Sequence, residues 1–207
     1  INMANLKESG AYPDNGVLYV STEDSGNNQG AVRLTDGAEL PKSPTASGFT
    51  VATDDPLYIK GDYNTVNKTL SLVAGDAINI LSNSWNDANS ANSGSPYSNR
   101  NASNTTINAV CMNGIVPSDG TYSGGVENFF RLLENWGSKK LTFSGSIIVL
   151  WKSKKAVGKW FYGSPVYAAP QRVWSWDAAL GGMTGPPGIP PVIFPEKKQW
   201  KVDTASD

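Results

Sequence analysis

The sequence predicts a mainly β protein, a right-handed parallel β-helix in which the chain winds as a solenoid, and three observations lead there. Apolar residues recur at a spacing of 21: Phe49, Val51, Leu57 and Ile59 are followed by Leu70, Leu72, Ile78 and Ile80. Within each unit the apolar residues stand two apart, so they share one side of a strand, while Asp and Gly between them suit a turn of the chain. Two short strands per turn, restacked about every 20 residues, are the repeat of a solenoid, and parallel crossovers strongly prefer the right hand. Locally, evenly spaced short strands also fit an antiparallel sandwich.

The pattern extends both ways. Upstream, Val32, Leu34 and Leu40 align with Phe49, Val51 and Leu57 at an offset of 17, which requires a tighter corner. Downstream, Leu141, Phe143, Ile147 and Val149 repeat the apolar pairs with Gly145 at the corner, giving at least four coils, and Thr106–Cys111 is a further candidate strand. Between them Val126, Phe129, Phe130, Leu133 and Trp136 fall on one helical face, with Glu127, Arg131 and Glu134 opposite and Gly137 as a stop. That spacing predicts an amphipathic helix over 124–136, packed on the coils. The polar segment 86–105 lacks periodicity and predicts a mobile loop. It carries the sequons at Asn101 and Asn104, with a third at Asn67, all consistent with chance in an Asn-rich chain. The whole reads as one domain over 1–207: N-terminal coils over 1–47, central coils over 48–160, and a C-terminal cap over 161–207.

Composition narrows the function. Lys and Arg number 17 against 18 Asp and Glu, a net charge of −1, so no strong field draws nucleic acid or an anionic membrane. No apolar run is long enough to span a bilayer, and no membrane contact by this segment is expected. The chain contains no His, which removes the commonest general base and metal ligand. Neither a metal nor a cofactor is expected, and the single Cys111, between Val110 and Met112, reads as a small buried hydrophobe. The first residue is Ile1 and not Met, as expected of a processed product.

The last third is rich in aromatics and prolines: Trp160, Tyr162, Tyr167, Trp174 and Trp176 interleave with Pro165, Pro170 and the run Gly185–Pro191. Such a cluster either seals the open end of the coil as an irregular cap or forms a recognition surface, and these five aromatics are the candidate binding residues. Sealing is the favoured expectation, because Val192–Phe194 and Trp200 flank the cluster like a returning strand.

The segments TVATDDPLYIKGDYN, ILSNSWNDA, TTINAVCMNGIVP, YSGGVENFFRLLENW and LTFSGSIIVLWKSKKAVGKW, followed by Gln171–Asp177 and PPGIPP, stand in an order that resembles the C-terminal domain of bacterial PilX-like pilus-assembly or pilin-like surface proteins. The resemblance covers about Gly48 to Trp200. It implies a non-catalytic structural or adhesive component of a bacterial surface filament, pilus or secretion assembly, located outside the cell or in its envelope. The implied partners are other protein subunits, with surface glycans as further candidates.

The competing reading is a polysaccharide lyase, hydrolase or carbohydrate-binding protein. Asp54, Asp55, Asp62 and Asp76 would supply carboxylates and Lys60 or Arg100 would face a uronic substrate. Against it, Asp55 and Asp76 are equivalent corner positions where short polar residues are expected anyway, and Asp54 is matched by Gly75. On the solenoid reading Ile80→Asp unfolds the domain and Asp76→Asn is nearly silent.

Overall fold

Among the described residues ten strands, all paired in parallel, carry the fold, and from β1 to β9 they alternate between two sheets. The strands are β1 (Val17–Tyr19), β2 (Val32–Leu34), β3 (Gly48–Ala52), β4 (Leu57–Lys60), β5 (Leu70–Gly75), β6 (Ile78–Leu81), β7 (Thr105–Asn113), β8 (Phe130–Leu132), β9 (Lys140–Val149) and β10 (Gln171–Trp176). One sheet has the order β1-β3-β5-β7-β9-β10 and the other β2-β4-β6-β8. The computed structural model describes residues 1–90, 96–116, 129–157, 166–182 and 184–189. No helix among them is long and apolar enough to cross a membrane.

The inward rows explain the strands. Val32, Leu57, Ile78 and Phe130 stand in register across the four-stranded sheet, as do Leu34, Ile59, Ile80 and Leu132. All eight are buried, and they face Phe49, Val51, Val73, Ile107, Cys111, Leu141 and Phe143 in one core. Close stacking has a cost in side-chain space at Gly145, where a Cβ would stand 1.8 Å from the Ala109 carbonyl oxygen. Gly145 therefore lies mid-strand in β9, permitting close approach, and is not the corner its sequence context suggested. Cys111 is wholly buried, and burial pushes its thiol pKa up, as expected of a small core hydrophobe.

Register departs from the sequence expectation in one sheet only. Leu57 pairs with Ile78 and Ile59 with Ile80, the expected spacing of 21. Phe49, however, pairs with Ser71 and Val51 with Val73, a spacing of 22. The corner between the sheets is one residue shorter in the second unit, from Val73 to Ile78, than in the first, from Val51 to Leu57. One residue of slip exchanges the faces, so Val73 enters the core in place of Leu72. Val32–Leu34 likewise belongs to the other sheet, pairing with β4 and not aligning with β3.

The predicted fold class is corrected. In place of a right-handed parallel β-helix with a packed amphipathic helix and an irregular cap, the chain is mainly parallel β in two separate ladders, six strands against four, that do not close. Residues 124–128 of the expected helix lie outside the described residues, and Phe130–Leu132, which it also covered, form β8. The aromatic spacing there is shared by two strand faces: Phe130 and Leu132 turn inward while Arg131 turns outward. The cap is also corrected, since Gln171–Trp176 is a regular strand paired along its length with β9. Gly185–Pro187 of the proline run lie against β3, where Ser47 Oγ donates to the Gly185 carbonyl at 2.8 Å and Thr50 Oγ1 to the Pro187 carbonyl at 2.6 Å, while Pro190, Pro191, Val192–Phe194 and Trp200 lie outside the described residues.

Two further features were not expected. A short helix α1 (Met3–Ser9) starts the chain, capped by Asn2, whose side chain accepts from the Asn5 N–H, and stopped by Gly10 at φ +66°. Its Met3 enters the core. The segment expected as a mobile loop is tied down on its described flanks: Asn101 pairs with Asn135, the Ala102 N–H donates to the Asn135 carbonyl, and Arg100 is buried.

Ile80 is fully enclosed between Ile59 and Leu132 in its row. Ile80→Ala is expected to lower unfolding free energy by about 2–5 kcal/mol in urea titrations, and Ile80→Asp to abolish the cooperative transition. A melting curve for Ile80→Asp matching wild type would contradict the packing described.

Candidate functional site

Local sequence places the aromatic strand at one end of the six-stranded sheet. Among the described residues β10 is the last strand and pairs only with β9. It stops where Asp177 caps a short 3-10 helix (Ala178–Gly181) by accepting from the Ala179 N–H, and the Asp177 carboxylate also meets Lys68 at 2.8 Å. The Gln171 N–H donates to the Lys139 carbonyl, so the alternation of a parallel ladder turns the N–H groups of Arg172, Trp174 and Trp176 toward the unpaired edge. Every residue of β10 is exposed.

Trp174 and Trp176 share the row that continues Phe143 and Gly145 of the core. Trp174 stands edge-on to Phe130 at 5.5 Å and to Phe143 at 6.0 Å, with the Arg172 guanidinium 5.3 Å from its ring, and remains 36% exposed. Trp176 is 61% exposed. With Phe143, Gly145 and Ile147 they line an open groove of about 360 Å³. Of the other candidate aromatics, Tyr167 is buried in the core and presents no surface. Trp160 and Tyr162 lie outside the described residues.

The carboxylates are committed to structure. Asp55 is buried; its Oδ2 accepts from the Thr22 N–H and hydroxyl, and its Oδ1 from Lys155 Nζ at 2.5 Å. Burial alone would raise its pKa, but Lys155 and Thr22 bring the carboxyl below its ordinary value. The equivalent Asp76, also buried, accepts from Ser153 Oγ and from the N–H groups of Lys154, Lys155 and Ala156. Lys155 thus bridges both corners, its amide on Asp76 and its ammonium on Asp55 and on Asp24 at 2.8 Å. The hydrogen bonds that Lys155 donates to Asp24 and then to Asp55 raise its pKa.

Two of the remaining charged candidates serve backbone groups. Asp62 accepts from the Thr106 N–H, and Arg100 donates to the Leu133 and Val166 carbonyls. Glu134, expected on an exposed helix face, is buried and accepts from the Ser82 N–H and hydroxyl, and burial pushes its pKa up. Sequence reasoning missed Lys155, Thr22 and Ser153. The available signal was the pair of aspartates at matched corners beside apolar strands, which implies buried anions needing donors from elsewhere in the chain. No family model, curated protein or solved structure matches this chain.

The expectation that Asp76→Asn is silent is replaced. An Asn can retain one acceptor oxygen, but its amide group then faces the N–H donors that served the other, so the variant should lose about 1–3 kcal/mol in denaturant titrations. For Asp55, whose folded pKa lies below the ordinary 3.8, the interaction stabilises above that value and is lost as pH falls through the folded pKa. Melting temperature should therefore drop on acidification below about pH 4, and Lys155→Met should flatten that acid limb. An unchanged acid limb in Lys155→Met would contradict the assignment.

Proposed function

We propose that this chain is a non-catalytic structural component of a bacterial surface assembly, joined to other protein subunits by extension of its six-stranded sheet. The supporting observation is that, among the described residues, this sheet ends at both sides in strands with one paired neighbour, each bearing an exposed aromatic, Tyr19 on β1 and Trp176 on β10, both 61% exposed. The β3 ladder uses the Thr50 N–H on the Gly16 carbonyl and the Ala52 carbonyl on the Val20 N–H, which turns the Tyr19 main chain toward the free edge of β1. An unpaired edge is a template for a further strand. Because the two edges differ, β10 of one copy on β1 of the next is a head-to-tail contact, which propagates as a filament where its rotation does not close into a ring. The bacterial surface location in this reading comes from the resemblance of the motif order to pilin-like surface proteins.

Sedimentation velocity over a range of concentrations tests it. Wild type should show growing end-to-end species, and Arg172→Pro, which removes an edge-facing N–H, and Trp176→Lys should each remain monomeric with wild-type melting temperatures. A monomer at every concentration, or equal association in both variants, would rule out assembly through β10.

A further inference from the structure

The outer side of the four-stranded sheet holds a second cavity, of about 460 Å³, lined by both polar and apolar side chains. Arg33 of β2 and Tyr58 of β4 are register partners whose side chains point away from the core, and Leu81 and Leu133 extend the floor from the ends of β6 and β8. Trp85 and Asp87 close it from the connection after β6, where Asn86 caps a short 3-10 helix (Asp87–Asn89) by accepting from the Ala88 N–H.

The polar rim is built. Arg33 donates to both oxygens of Asp87, at 2.7 and 3.1 Å, and Trp85 Nε1 donates to the same carboxylate at 2.8 Å. The guanidinium has five N–H donors and spends two on Asp87, while the carboxylate retains acceptor capacity beyond its three bonds. Both heads remain open to water, with side-chain exposures of 42% and 67%. The Tyr58 hydroxyl has no hydrogen-bond partner among the described residues.

We infer that this cavity binds a neutral sugar unit, its apolar face on the Tyr58–Leu81–Leu133 floor beside Trp85 and its hydroxyls on the Arg33–Asp87 pair. The volume suits a small ligand, and aromatic rings carrying polar tips accommodate a molecule that is apolar on one face and hydroxylated at its edge. Charge selects the class. The hydrogen bonds from Arg33, then Trp85, keep the Asp87 carboxyl ionised by lowering its pKa, so an anion placed here meets Asp87 and a cation meets Arg33. An uncharged polyol meets donor and acceptor side by side without repulsion.

The test is titration of the full chain with neutral tetrasaccharides of glucose, galactose and mannose, and with a galacturonate tetrasaccharide, following the Trp85 indole N–H by nuclear magnetic resonance. At least one neutral sugar should shift that resonance. Asp87→Asn, which keeps shape and removes charge, should weaken binding about tenfold, Tyr58→Phe should weaken it less, and Trp176→Ala should leave it unchanged. Melting temperatures of all three variants confirm that each is folded. The inference is overturned if no neutral sugar moves the Trp85 signal up to about 10 mM, if galacturonate binds as well, or if Trp176→Ala abolishes the effect. These results are separable from self-association, which depends on β10.

Discussion

Parallel pairing between strands that are neighbours in space but distant in sequence forces each inward row to be filled by side chains of matching shape. The rows Val32/Leu57/Ile78/Phe130 and Leu34/Ile59/Ile80/Leu132 satisfy that demand with β-branched, Leu and Phe side chains, and they meet the inward residues of the other sheet in one core. Everything else in the molecule adjusts to keep these rows aligned. Gly145 gives up its side chain so that β7 and β9 can approach, and Met3 of α1 adds to the same core from the first turn of the chain. Full burial of each such side chain stabilises by about 1.5–3 kcal/mol, so the rows outweigh any single polar contact.

The corners present the opposite problem. A chain that passes from one sheet to the other must turn beside the core, and here it turns at Asp55 and Asp76, both fully buried. Buried carboxylates are tolerated only where donors surround them. The segment after β9 supplies those donors through Ser153, Lys154, Lys155 and Ala156, so a stretch remote in sequence locks two successive turns together. The same logic governs Glu134 on Ser82 and Arg100 on two carbonyls. Charge in this protein is used largely to hold connections, and the groups left for recognition are the aromatic edge of β10 and the Arg33–Asp87 rim.

Much of the strand content was legible because alternation is a local property. β4 and β6 were visible with their register, and Thr106–Cys111 proved to be the centre of β7. Register between β3 and β5 was not, since Leu70-Ser71-Leu72-Val73 offers apolar residues to both faces and only the length of the corner decides between them. The helix expected around Phe130 failed for a similar reason: a spacing of three and four also fits inward residues distributed over a short strand and a turn. At the candidate site, Trp174, Trp176 and Tyr167 were alike in sequence, where sealing was favoured over recognition; the two Trp side chains are exposed and Tyr167 is core. Lys155, Arg33 and Asp87 carry no motif. Their roles arise from contacts 100 residues away for Lys155 with Asp55 and 54 for Arg33 with Asp87, which no local pattern encodes.

The proposed assembly through the sheet edges and the inferred sugar recognition on the outer face of the other sheet use different strands, and both readings depend on the two sheets being parallel and in the register described. Main-chain nuclear Overhauser contacts measure that directly. The account predicts parallel-pattern contacts that place Val51 opposite Val73 and Ile59 opposite Ile80. An antiparallel pattern, or Val51 opposite Leu72, would contradict it.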